Sequence, residues 1–240
     1  MAVNYNSRYT SVSQITGPSG FYTIWLNDEP VSVYVDQSYS GGGWVCVLAN
    51  RINTGGMNNL SYYNAVNKCN YRTGGVSQGA NTVVDVPTKF GSLSDYNIWV
   101  GSKFWPLLGY RATSNKITVV QFVSTSAQAI SGTHTKRYRW QFDNFNSAYG
   151  FTGVAAVSDE TGTGSPGMYG YHAANGFSLT TYDFDQDQNG GNCATYYNNN
   201  PFWYGSCWSG NWFGGGGYAD APFWDGSGGD YHNYGAVYIK

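Results

Sequence analysis

The chain has 240 residues, only 11% of them charged, and a formal net charge of −2, so it lacks the basic footprint that nucleic acid demands. Its 18% of aromatic residues set it apart from disordered chains, which cannot bury enough apolar surface. No stretch approaches the ~18 apolar residues of a membrane-crossing helix, and a single all-β domain of this length is ordinary.

In chain order, runs rich in Val, Ile, Tyr, Phe, Trp and Thr, bounded by Gly, Asn, Ser and Pro, predict strands at 21–26, 31–35, 44–49, 97–101, 117–123 and 138–142. Helical periodicity is scarce: 63–68 and 144–149 read as short helices of two turns. Beyond Thr152 the composition shifts to glycine, asparagine and aromatic residues, which predicts a loop-rich lobe over about 152–230. No fixed repeat and no linker divides the chain.

The lobe holds Asp183, Asp185, Asp187, Asn189, Gly190 and Gly191 directly before Cys193. Alternating carboxylates, an amide and backbone carbonyls are the donors that Ca²⁺ selects, since it takes six to eight oxygen ligands. Asp185, Asp187, Asn189 and Gly190 match the opening of an EF-hand loop. Its twelfth position is Tyr196 instead of the bidentate Glu, and the flanks 176–182 and 195–201 are not amphipathic helices. An EF-hand is excluded and a calcium loop of another fold is expected; the alternative is a solvated Asp/Asn turn.

Four cysteines, Cys46, Cys69, Cys193 and Cys207, allow three pairings and show no C-x-x-C metal or redox spacing, so disulfides and an oxidising final location are expected. A Cys193–Cys207 bridge would close a short loop, worth about 3 kcal/mol on the chain-entropy estimate. The amino terminus lacks the charged and apolar regions of a secretory leader. The expectation is therefore a chain trimmed of its leader, or one that reaches the outside by another route such as lysis. Between the late cysteines lie Tyr196, Tyr197, Phe202, Trp203 and Tyr204, with Trp208, Trp212 and Phe213 just beyond. Such rings serve the C–H faces of sugars and acetyl methyls; alternatively, Phe202 and Trp203 are core while Tyr204 and Trp208 cover a small lobe.

Asn175-Gly176, Thr181-Tyr182-Asp183, the acidic loop, Asn192-Cys193-Ala194, Phe202-Trp203 and Cys207 occur in that order. Upstream come Ser19-Gly20-Phe21-Tyr22, Val33-Tyr34-Val35-Asp36 and Gly41-Gly42-Gly43-Trp44-Val45. Together they resemble the fibrinogen-related domain shared by fibrinogen chains, ficolins and tachylectins, over about residues 19–214. The resemblance implies an α+β, mostly β fold: a twisted antiparallel sheet, few short helices and a long loop-rich calcium and ligand lobe. Residues 1–18 are then an N-terminal extension or attachment segment and 19–240 a single domain. It further implies a Ca²⁺ held by the side chains of Asp185 and Asp187 and the carbonyls of Asn189 and Gly191, with Asp183 a neighbour.

The family's acetyl-accepting pocket falls on Tyr204, Ser206, Cys207 and Trp208, with Tyr218 and Asp220 from a shortened closing segment. In the family the bond before the second cysteine is often cis; if Ser206–Cys207 is cis, the Cys207 and Trp208 amides both turn towards a ligand oxygen. Val35 stands where the family has a cysteine, so that family bridge is absent and Cys46 and Cys69 are left to pair differently, whether with each other or not, beside Cys193–Cys207. Trp208 replaces a histidine common in the family. The ending 231–238 is similar to those of some phage fibre and neck appendage proteins.

For catalysis, a glycosidase needs two carboxylates placed across a cleft, whereas the acids here cluster at 183–187 with Asp220, Asp225 and Asp230 scattered among glycines. His134, His172 and His232 have no metal-site spacing. The expectation is a non-enzymatic, calcium-dependent adhesin for an acetylated cell-surface glycan. It is expected on an extracellular or virion surface, as on a phage fibre tip, and as a homo-oligomer or attached to a larger particle, because weak single sites need multivalency. A structural decoration protein of a virion and a secreted immune lectin are the alternatives.

Overall fold

The computed structural model describes residues 8–51, 60, 68–73, 76–77, 96–109, 117–126, 128–146, 150–161, 177–197, 199–207 and 232–240. Its body is one antiparallel sheet. Strands β1 (Gly20–Leu26) and β2 (Glu29–Asp36) form a hairpin, reversed at Asn27 and Asp28, both with positive φ, a conformation to which Asn and Asp adapt best after glycine. β3 (Trp44–Arg51) forks the sheet. Along one edge its residues 44–46 pair with β2 while Leu48 and Ala49 pair with β6 (Tyr96–Trp99). Beyond β6 lie β4 (Lys68–Thr73) and β5 (Val76–Ser77).

The other edge of β3 receives β12 (Tyr234–Ile239), followed by β7 (Ile117–Ser124), β8 (Lys136–Asn146) and β9 (Gly150–Thr161). Every residue of β12 is buried, as befits a strand covered on both faces and hydrogen-bonded on both edges. All six strands read from apolar runs are present. β9 and β12 were not anticipated. Residues 144–146 finish β8 instead of opening a helix, and 150–161 continue the sheet, so the loop-rich lobe begins later than residue 152. The helix expected at 63–68 lies almost wholly outside the described residues, and Lys68 itself opens β4.

Residues 8–18 pack onto this body. Tyr9 bridges Ile24, a 3₁₀ turn at Val12–Gln14 is closed by a capping box from Ser11 and Gln14, and Val12 and Ile15 join the core. At the opposite end of β2 the buried Asp36 accepts from the amides of Ser38 and Tyr39 at 2.8 and 3.0 Å. This steers the chain into Ser40, Gly41, Gly42 and Gly43, four consecutive residues with positive φ; the three glycines carry no Cβ to oppose that conformation.

A pairing of Cys46 with Cys69 does not fit this sheet. Ile98 of β6 is in register with both Ala49 of β3 and Cys69 of β4, so a whole strand separates the two cysteine strands, and Cys46 lies three residues further along. Two interstrand spacings and three residue rises place the Cα atoms on the order of 14 Å apart, about twice the span a disulfide reaches. Cys46 is buried with its thiol 3.4 Å from the Leu48 carbonyl.

Candidate functional site

A tryptophan cluster joins the body to the lobe. Trp203 packs against Trp105 at 6.3 Å and Trp140 at 6.1 Å between ring centroids, and Trp105 against Trp99 at 5.6 Å. Trp105 belongs to α1 (Trp105–Gly109), and its indole N–H donates to the Val100 carbonyl at 2.8 Å. Trp203 sits on β11 (Phe202–Trp203), paired with β10 (Leu179–Thr180). The two-stranded ribbon that carries the lobe is thus keyed into the sheet's core.

The acidic loop grows from this ribbon by side-chain to backbone bonds, each folding the chain one step further. Asp185 Oδ1 accepts from the Asp187 amide at 3.3 Å, Asp187 Oδ1 from the Asn189 amide at 2.8 Å, and Asn189 Oδ1 from the Gly191 amide at 3.1 Å. Asp187 Oδ2 reaches across to the Cys193 amide at 2.8 Å. Asp183 stands apart, its Oδ1 taking the Thr181 hydroxyl at 2.8 Å.

Asn192 ends the ladder and starts α2 (Cys193–Tyr196), its side chain accepting from the Thr195 amide as an N-cap. Its Nδ2 donates back to the carbonyls of Thr181 and Tyr182 at 2.8 and 3.2 Å. Cys193 and Cys207 form a disulfide with Cα atoms 4.8 Å apart, and the Gln188 amide donates to the Gly205 carbonyl at 3.0 Å. A Cβ at Gly205 would come within 2.9 Å of the Phe177 ring, so a larger residue there would displace that ring.

The two carboxylates are neighbours electrically as well as in sequence. Burial lifts the Asp187 carboxyl above its ordinary pKa, the Cys193 and Asn189 amides oppose that rise, and the charge of Asp185 adds to it. A partly buried carboxylate beside a second one is relieved by a cation. Among the described residues no three His, Cys, Asp or Glu side chains gather as a metal cluster, so a cation here must draw on carbonyls. Asp185, Asp187 and the carbonyls of Asn189 and Gly191 offer hard oxygens only, a donor chemistry that suits Ca²⁺.

The aromatic expectation divides. Phe202, Trp203 and Tyr204 are all fully buried. Tyr204 stacks on Tyr197 at 5.5 Å and donates its hydroxyl to the Asn200 carbonyl at 3.0 Å. It is a core residue, not a ring that meets a ligand, because the disulfide draws its strand under the lobe. Ser206 is exposed and Cys207 half-buried. No peptide bond among the described residues is cis, so Ser206–Cys207 is trans, and the turn is made by Cys207 at φ 67°. Trp208, Tyr218 and Asp220 lie outside the described residues. Tyr196, one of the rings expected to meet a ligand, is 70% exposed, with its hydroxyl 3.6 Å from where a Cβ on Gly191 would stand. Its exposure beside Gly191, unlike the burial of Tyr204, follows from the loop's path.

A sequence profile of the C-terminal globular domain of fibrinogen beta and gamma chains matches residues 10–231. The chain belongs to this fibrinogen C-terminal domain family. It is 25% identical to the fibrinogen alpha chain of Homo sapiens over 202 residues, 80% of this chain and 20% of that one. To the fibrinogen alpha chain of Mus musculus it is 26% identical over 187 residues, 75% of this chain and 20% of that one. The chain thus spans about a fifth of these relatives.

Among solved structures it resembles the fibrinogen-like globe domain of human ANGPTL6, with a TM-score of 0.55 and 20% identity over 100% of this chain and 98% of that one. Lamprey fibrin D-dimer complexed with the peptide Gly-His-Arg-Pro-amide aligns at a TM-score of 0.51 and 16% identity, covering 98% of this chain and 74% of that one. These likenesses bear out the fold, a mostly antiparallel sheet with few short helices. No helix among the described residues is long and apolar enough to cross a membrane.

Proposed function

We propose that this fibrinogen-family domain is a non-enzymatic, calcium-dependent binding module for an acetylated cell-surface glycan, displayed outside the cell or on a virus particle for attachment. The observation that carries the reading is the ladder from Asp185 to Gly191, which lines up two carboxylates and two carbonyl-bearing residues beside the Cys193–Cys207 staple. Asp185, Asp187 and the carbonyls of Asn189 and Gly191 hold the ion, and Ca²⁺ supplies the positive charge that two adjacent carboxylates lack. The protein's own part is to fix the loop before a ligand arrives, so that less ordering entropy opposes binding. Ser206 and Cys207, with Trp208, Tyr218 and Asp220, form the ligand side. A relative solved with a short peptide bound supports a ligand-binding role for the fold.

The test has two arms. Calcium at about a hundred times its Kd should stabilise the parent by about 2.7 kcal/mol and leave a D185N/D187N variant unmoved; a parent that melts identically with calcium and with chelator removes the metal. A glycan array read with and without chelator should give calcium-dependent binding to acetylated sugars. Calcium stabilisation with a blank array would instead favour the structural reading, a decoration protein that keeps the ion for stability.

A further inference from the structure

We propose that Asn189–Gly190 is a self-modification site, at which the loop converts its own amide to an acid and so limits the lifetime of the calcium site. The Gly190 amide nitrogen gives its proton to hydroxide and attacks Asn189 Cγ. The bond from Cγ to Nδ2 breaks, Nδ2 leaves as ammonia, and a five-membered succinimide remains. Water attacking the Cγ carbonyl breaks its bond to the Gly190 nitrogen and leaves aspartate; water attacking the residue's main-chain carbonyl breaks that carbon's bond to the nitrogen instead and leaves isoaspartate, with the main chain running through Cγ.

Three observations select this position. Gln188, Asn189 and Gly190 are all exposed, so hydroxide and water reach the site. Beyond its chain neighbours, no atom lies within 4 Å of where a Cβ on Gly190 would be, so the residue that supplies the nucleophile has neither a side chain nor a close non-local neighbour to crowd the ring. Asn189 Oδ1 already bonds the Gly191 amide at 3.1 Å, which folds the side chain back across the Gly190 peptide.

Other described asparagines lack this combination. Asn200 is buried and followed by Pro201, which has no N–H to act as nucleophile. Asn192 precedes a disulfide-bonded cysteine and holds both its side-chain atoms in hydrogen bonds. Asn27 is followed by Asp28, whose side chain crowds the nitrogen and whose charge repels hydroxide. The sequence's second Asn-Gly pair, Asn175–Gly176, lies outside the described residues and serves as an internal comparator.

Isoaspartate adds a main-chain carbon between Asp187 and Gly191 and moves the Asn189 carbonyl, so the converted loop should hold calcium less well. The modification itself is independent of the calcium reading; only protection by the ion rests on it.

The experiment ages the intact chain at mildly alkaline pH, with calcium or with chelator, and follows each asparagine-containing peptide by mass spectrometry. The expected result is accumulation of acid at Asn189, slowed by calcium. It should also be slowed on the order of tenfold in Gly190→Ala, whose Cβ hinders ring closure. That variant has open space and an ordinary φ, so it should melt as the parent does. Asn189 persisting as the amide while Asn175 converts, or Gly190→Ala converting at the parent rate, overturns the proposal. Conversion at equal rates with and without calcium leaves the modification standing and counts against the calcium reading.

Discussion

The sheet body and the disulfide-stapled lobe are held together by different physics. In the body, β3, β7 and β12 bury almost every side chain, and stability comes from apolar area and from rings such as Trp99, Trp105 and Trp140 in contact. In the lobe, 183–192 is largely exposed or half-buried. Its shape is held by Asp185, Asp187, Asn189 and Asn192 bonding the backbone, with one covalent link at its base. The body therefore tolerates exchange of surface charge and resists loss of volume, whereas the lobe depends on individual oxygen atoms.

Alkali should break the body most completely. Burial, then the charge of Asp36 and the Cys46 thiol, pushes Tyr34 from 10.0 up to about 12, and burial raises Tyr234 and Tyr238 well above their ordinary value. A tyrosine whose pKa is raised by folding adds stability that is whole below its unfolded pKa and is lost as pH climbs through the folded one. Denaturant midpoints should therefore hold below pH 10 and fall steeply towards pH 12; a flat profile across that window would contradict the burial of these hydroxyls.

Trp203→Ala comes next. It empties the socket between Trp105 and Trp140 and should cost about 3–5 kcal/mol in a denaturant titration, body and lobe loosening together. Replacing both Cys193 and Cys207 with alanine opens a link spanning 14 residues and should cost about 3 kcal/mol. Hydrogen exchange should rise first in the lobe amides of Asn189 and Cys193, while those of β12 stay protected. The mildest change is Asn192→Ala, which removes a helix cap and two hydrogen bonds to the ribbon and should cost about 1–2 kcal/mol. If that loss spread evenly over body and lobe, the division between them would be wrong.

The two regions were also legible in different ways. In β1, β2, β3, β7 and β8, branched and aromatic residues sit between turn-formers, so local composition sufficed. β9 escaped because Gly153, Ala155 and Ala156 give it little branched character and Ser158, Asp159 and Glu160 give it a polar end; its strand identity comes from pairing with β8. β12 escaped because Tyr234, Gly235 and Ala236 show no alternation when both faces are covered.

In the lobe the acidic ladder was legible as a motif, since side-chain to backbone bonds are local in sequence. The depth of Tyr204 was not, being set by a disulfide and a tryptophan cluster that join distant segments. Counting cysteines misled for the same reason: the strand that separates Cys46 from Cys69 comes from residues 96–99.

The central place of β12 has a consequence for biosynthesis. β3 and β7 both bond to it, yet it follows every other described strand of the sheet in the sequence, so a ribosome delivers it after them. Until it emerges, the two halves of the sheet present raw edges with no partner between them. The nascent chain must wait, shielded or sparse enough to avoid its neighbours, for a six-residue keystone to close the arch.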